Sequence, residues 1–187
     1  DTPSDELEFI SIHNLVAGAT LYGTEVQGAY EYGGVDYAGR LQHVEAYRNC
    51  AQCHNIHRQE VKAEECGLCH PEVVTLEDLV KIRIQEDAVD FDGDGDTSEG
   101  IAGEIETMRD ALYAAIQSYA ASVAGTPIVF QAHTTPYFFI DRNGTGAADP
   151  DGLNDENRYS SWTPRLLRAT YNYHYAVRDP GAFAHNP

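Results

Sequence analysis

The chain has 187 residues, with 30 Asp and Glu against 12 Lys and Arg and a formal charge of −18. That length points to one domain spanning 1–187, and the acidic surface repels nucleic acid and anionic membranes, so cations or a cationic partner fit better. No run approaches the roughly 20 apolar residues of a membrane span. Heavy use of Gly, Asp, Asn and Tyr, with no long apolar run, predicts a mainly α protein with extensive irregular loops.

Residues 1–9 are acidic and read as a tail or extended arm. No secretory leader precedes Asp1, which reads as the processed start of an exported protein. His13 lies among apolar residues from Ile10 to Leu21, a pattern that predicts a helix. Residues 22–40 carry Tyr22, Tyr30, Tyr32, Tyr37 and several glycines, and read as turns or short strands whose rings could cover an apolar cofactor.

The segment 43–70 holds every cysteine of the chain, as Cys50-Ala-Gln-Cys53-His54 and Cys66-Gly-Leu-Cys69-His70. Two thiols three positions apart can each form a thioether with a haem vinyl group, and the adjacent imidazole can then bind the iron. A four-thiolate zinc site, disulfides and a redox dithiol are the competing readings. With eight histidines in 187 residues, a His after both pairs arises by chance about once in five hundred, whereas zinc asks for no such His. The pattern therefore predicts two covalently held haems, with His54 and His70 as proximal ligands. His13, His43 and His57 compete for the distal positions. His133, His174 and His185 read as non-ligands. Met108, the one methionine, falls on an expected helix core face, so two low-potential bis-histidine irons are expected rather than methionine ligation.

Thr75-Leu-Glu-Asp78 has the form of a capping box and predicts a short helix to about Ile84. The loop 90–104 follows, with Asp90, Asp92, Asp94 and Asp96 at alternate positions, Gly95 sixth and Glu99 tenth. Such carboxylates converge on a hard cation, which predicts calcium, with Glu104 as a further ligand. Ile105, Met108, Leu112, Ile116, Tyr119 and Val123 then recur at helical spacing in a helix over 101–123. Residues 128–140 are β-prone. Asp141 to Asp155 reads equally as a second calcium turn or an ordinary one, and Asn143-Gly-Thr145 matches a glycosylation pattern. Thr163-Pro164 opens a final helix to about Val177, within a helical part covering 101–187.

Taken together, the stretches His13–Glu25, Cys50–His57, Asp90–Glu104 and Trp162–Asn186 resemble the C-terminal portion of large multihaem c-type cytochromes of bacteria and archaea. That resemblance implies a small haem-cored c-type cytochrome domain, electron transfer without catalysis, and an exported location, extracellular or at the cell surface, with the periplasm as alternative. Its partners would be other redox proteins or extracellular acceptors. Some related cytochromes form filaments in which the second His of a Cys-x-x-Cys-His-x-x-His run binds a haem of the next subunit. On that basis a head-to-tail homopolymer through His57 is expected. A soluble exported carrier, a dihaem peroxidase and a calcium-dependent adhesion protein are the alternatives.

Overall fold

The computed structural model describes residues 2–83 and 89–187. Helix and loop dominate, as composition predicts, and the strands form two short antiparallel hairpins. Contacts group the chain into two compact units. The first comprises Asp1–Ala17, Gln27–Val35 and Arg109–Pro180; the second comprises Gly18–Val26, Asp36–Met108 and Gly181–Pro187.

The first unit has a conventional apolar core. Helix α4 (Ile101–Ser122) enters it from Arg109 onward, followed by strands β3 (Ile128–Phe130) and β4 (Phe138–Ile140) and helix α5 (Pro164–Val177). Val129 pairs with Phe139, and Ile116, Ala120, Ile128, Phe138, Tyr159, Trp162 and Leu166 close over one another. Thr163 Oγ1 accepts the Leu166 N–H at 3.1 Å, and Pro164 at the first helical position needs no donor partner.

Several expectations change here. The acidic opening is no free tail: Phe9 sits 4.8 Å from the Phe138 ring, and the Ser4 N–H donates to the Trp162 carbonyl. Helix α1 is only Ala17–Tyr22, so His13 precedes it, with Nδ1 3.1 Å from the Ser11 carbonyl. Ile10 and Ile12 are β-branched and Asn14 competes for backbone bonds, which favours extended chain there. Tyr30 and Tyr32 pack on each other at 5.0 Å, and the Asn172 side chain of α5 bonds both backbone groups of Tyr30. Those rings belong to the first unit rather than to the cysteine segment. Met108 is 44% exposed and Val123 48%, against the core stripe read from periodicity. A helical period identifies a face but not how far other elements cover it.

His174 in α5 is fully buried among Phe9, Phe130 and Tyr137. The Arg178 Nε–H donates to its Nε2 at 3.2 Å, so the ring is neutral with its proton on Nδ1. The 3.5 Å approach of the Ile12 N–H to that protonated Nδ1 is therefore a contact, not a hydrogen bond. Burial first, and Arg178 second, lower its pKa to about 4. The unfolded chain binds a proton that the folded chain refuses, so this contribution is complete above pH 6.5 and is lost as pH falls toward 4. It amounts to about 3 kcal/mol over that window. His174→Phe should flatten the dependence of melting temperature on pH between 6.5 and 4; an unchanged slope would assign the acid lability to other groups.

The second unit is built differently. It contains helices α2 (Cys50–Cys53) and α3 (Ala63–Cys66), the hairpin β1–β2 (His54–Asn55 with Glu60–Val61), and the short helix α6 (Ala182–His185). The box at Thr75 forms, since Asp78 accepts the Thr75 N–H at 2.8 Å and its hydroxyl at 2.9 Å. Lys81 and Thr75 hold the Asp78 carboxyl far below the usual range. What it starts is a tighter 3₁₀ helix, Leu76–Lys81, and the expected end at Ile84 lies outside the described residues. Among the described residues of this unit, the fully buried hydrophobic side chains are Ala63, Val73 and Ile101. Ile56, Leu68 and Val74 stand 63%, 74% and 81% exposed. The described side chains of this unit therefore contribute fewer buried hydrophobics than those of the first.

Candidate haem and cation sites

The two cysteine pentads adopt the same local plan by different means. Asn49 and Arg48 N–H groups both donate to Gln52 Oε1, which caps α2 and fixes the turn that carries Cys50 and Cys53. The His54 N–H donates to the Cys50 carbonyl, and the hairpin pairs His54 with Val61. Lys62 N–H closes the turn on the Cys53 carbonyl at 2.9 Å. In the second pentad the His70 N–H reaches the Cys66 carbonyl at 2.9 Å, and the Val73 N–H reaches His70. A Cβ at Gly67 would stand 2.7 Å from the Val73 carbonyl, so glycine is required at that close approach.

All four thiols are free, with Cys50 and Cys69 exposed. No disulfide joins them, and no group of three or more cysteines and histidines converges as a zinc site among the described residues. Burial pushes the Cys53 and Cys66 thiols up, so neither is an activated thiolate. His70 Nδ1 lies 3.6 Å from Glu72 Oε1, leaving Nε2 as the outward donor atom.

Each pentad histidine has another imidazole close by within the same unit, its ring tilted by 44° for His43–His70 and 32° for His54–His185. His43 and His70 have ring centres 6.2 Å apart, and His54 and His185 have ring centres 6.3 Å apart. His43 was among the expected distal candidates; His185 was not. Of the others, His13 lies in the first unit, and His57 is exposed, its N–H donating to Asn55 Oδ1. His185 carries no local signal, because the contact links residues far apart in sequence. Paired thiols on a turn, a second imidazole near each pentad histidine and few buried hydrophobic side chains around them among the described residues fit c-type haem attachment.

The acidic loop wraps inward on itself. Asp90 Oδ1 accepts the Gly93 N–H at 2.5 Å and Oδ2 the Gly95 N–H at 2.9 Å. Gly93 and Gly95 have φ of 81° and 96°, which only glycine adopts freely. Carboxylate oxygens of Asp90, Asp92 and Glu104, and of Asp92, Asp94 and Glu99, each gather within 4.8 Å. Asp92 Oδ2 and Glu99 Oε1 are buried without a hydrogen-bond partner among the described residues. Burial first, then Asp92 and Asp94, push the Glu99 carboxyl up. Asp96 Oδ1 instead accepts the Ser98 N–H and hydroxyl.

Glu104 is almost fully buried; its Oε2 accepts the Phe91 and Asp92 N–H groups and Arg83 pairs with its Oε1. It therefore braces the loop from behind. The Asp141 loop repeats the same backbone frame, with Gly144 and Gly146 N–H groups on the two Asp141 oxygens. No cluster of three carboxylates converges there among the described residues.

The chain is 26% identical over 217 aligned residues to the C-type polyheme cytochrome OmcC of Geobacter sulfurreducens. The match takes in 96% of this chain and 24% of that protein. Over most of its length the chain resembles a multihaem c-type cytochrome. No family model matches it, and no solved structure does. No helix among the described residues is long and apolar enough to cross a membrane.

Proposed function

We propose that the chain is a dihaem c-type electron-transfer unit of an exported cytochrome, braced by calcium. The observation that carries this reading is the pair of Cys-x-x-Cys-His turns set in a unit whose own side chains provide almost no core. Cys50 with Cys53, and Cys66 with Cys69, would tether the two groups, and His54 and His70 would bind iron. Bound haem supplies a one-electron iron couple. His54 and His70, each with a second imidazole nearby, would hold that iron, and the chain's net charge of −18 would attract cationic redox partners. Donors and acceptors of this class are other redox proteins or extracellular electron acceptors. Protein matured in a host that attaches c-type haem should carry the added mass of two haems. Cys50→Ser/Cys53→Ser and Cys66→Ser/Cys69→Ser should each carry one. Unmodified wild-type protein would overturn the reading.

Asp90, Asp92, Asp94, Asp96 and Glu99 would hold the calcium, with Glu104 behind them. The two buried carboxylate oxygens without hydrogen-bond partners among the described residues support this. A cation binding only the folded state at a hundredfold excess over its Kd stabilises by about 2.7 kcal/mol. Chelation, or Asp92→Ala, should lower the melting temperature, and an unchanged melting curve in excess chelator would remove calcium from the account.

Assembly into a haem-lined filament is the second reading. Ile56 and Leu68, exposed beside the two pentads, offer an apolar contact between copies, and His57 stands exposed next to Ile56. Facing imidazoles inside the unit reduce the need for a ligand donated from a neighbour and favour the self-contained carrier.

A further inference from the structure

We infer that both irons are completed inside the second unit, as His54–His185 and His70–His43, with His185 delivered by the segment Gly181–Pro187. This rests on the dihaem reading and specifies its unassigned ligands. The argument is one of distance. Two imidazoles joined directly by a hydrogen bond of about 2.9 Å between nitrogens would have ring centres roughly 5.2 Å apart. Two imidazoles bound on opposite sides of one metal, at about 2.0–2.1 Å per bond and with each ring centre about 1.2 Å behind its nitrogen, have centres roughly 6.4–6.6 Å apart. The observed 6.2 and 6.3 Å fit the second case at both pairs. Four of the chain's eight histidines thus stand in two pairs of one spacing, and each pair contains the histidine of a pentad.

The facing partners are held in place independently of any ligand. The Asn186 side chain donates to the Gly39 carbonyl at 2.9 Å, beside Gly23, where a Cβ would meet Ala38 O at 2.2 Å and Gly39 O at 2.8 Å. His185 itself ends the short turn closed by its N–H on the Gly181 carbonyl. On the other side, the turn after His43 is pinned by Tyr47, whose hydroxyl donates to Glu65 Oε2 at 2.7 Å just before the Cys66 pentad. That bond pushes the Tyr47 hydroxyl up to about 12. His57 and His13 have no place in this scheme.

The test uses haem-loaded full-length protein and reads the spin state of each iron. Wild type and His57→Ala should both be entirely low-spin with two haems. His185→Gly should keep two covalent haems by mass while half of the ferric iron becomes high-spin and half of the reduced haem binds carbon monoxide. Added imidazole should restore the low-spin signal in His185→Gly, which separates a lost ligand from a misfolded chain. Two haems that stay low-spin in His185→Gly would overturn the pairing and leave the dihaem reading intact. So would loss of a low-spin iron in His57→Ala. An absence of covalent haem in wild type would sink the dihaem reading, and this pairing with it.

Discussion

Replacing Cys50, Cys53, Cys66 and Cys69 together with serine should leave the second unit without stable tertiary structure while the first remains folded. The reason lies in how unequally the apolar side chains are distributed. Among the described residues, Ala63, Val73 and Ile101 are the buried hydrophobics of the second unit, whereas the first buries Ile116, Ile128, Phe138, Phe139, Tyr159, Trp162 and Leu166. Ordering a residue costs about 1–2 kcal/mol of backbone entropy, and a fully buried large apolar side chain returns about 1.5–3 kcal/mol. Three such side chains, one of them alanine, cannot hold a segment as long as 36–108. A planar apolar group tethered at each pentad would provide the missing contact surface for the exposed Leu68 and Ile56. Peptide-resolved hydrogen exchange is the measurement. In the serine variant, peptides within 41–81 should exchange without protection, while those covering 128–140 and 159–177 keep wild-type protection. Equal protection of 41–81 in both proteins would show that the second unit folds on its own contacts.

Trp162→Ala should produce the largest single-residue loss in the first unit. Trp162 is 2% exposed, with its ring 4.7 Å from Tyr159 and 5.9 Å from both Phe9 and Phe138. Its removal opens a cavity where the opening segment, the β3–β4 hairpin and the start of α5 meet. Truncating a buried Trp or Phe to alanine costs about 3–5 kcal/mol. Phe9 would lose its stacking partner at the same time, so protection of amides near Ser4 and Leu7 should fall with that of β4. Chemical denaturation read by circular dichroism at a first-unit-specific transition measures the loss; a change below about 1 kcal/mol would place the centre of this core elsewhere.

Local chemistry was legible in the sequence because each signal is short-range. The two pentads, the Thr75 box, the Thr163-Pro164 start of α5 and the alternating carboxylates all act within a few residues, and each forms the expected turn. Reading failed where the deciding partner is distant. Met108 fits a helical stripe by spacing, yet it stays 44% exposed, and Glu104 is buried because Arg83 and two loop amides meet it. The opening segment read as a tail or extended arm because its acidic residues outnumber Leu7 and Phe9, the two that dock on the core.

The two Cys-x-x-Cys-His turns at residues 50–54 and 66–70, where we propose haem is held, were legible from sequence, since a thioether pair and its neighbouring imidazole need only one turn of chain. The loop where we propose a cation binds was legible in the same way, because its alternating carboxylates lie within a few residues of one another. Only the tertiary structure decided which histidines face those of the pentads. His185 and His54 are brought to 6.3 Å by a segment anchored through Asn186, and His43 reaches His70 through a turn tied to Glu65. Opposed imidazoles must arrive from opposite sides, and chain that approaches from the other side is, for the His54 site, far away in sequence.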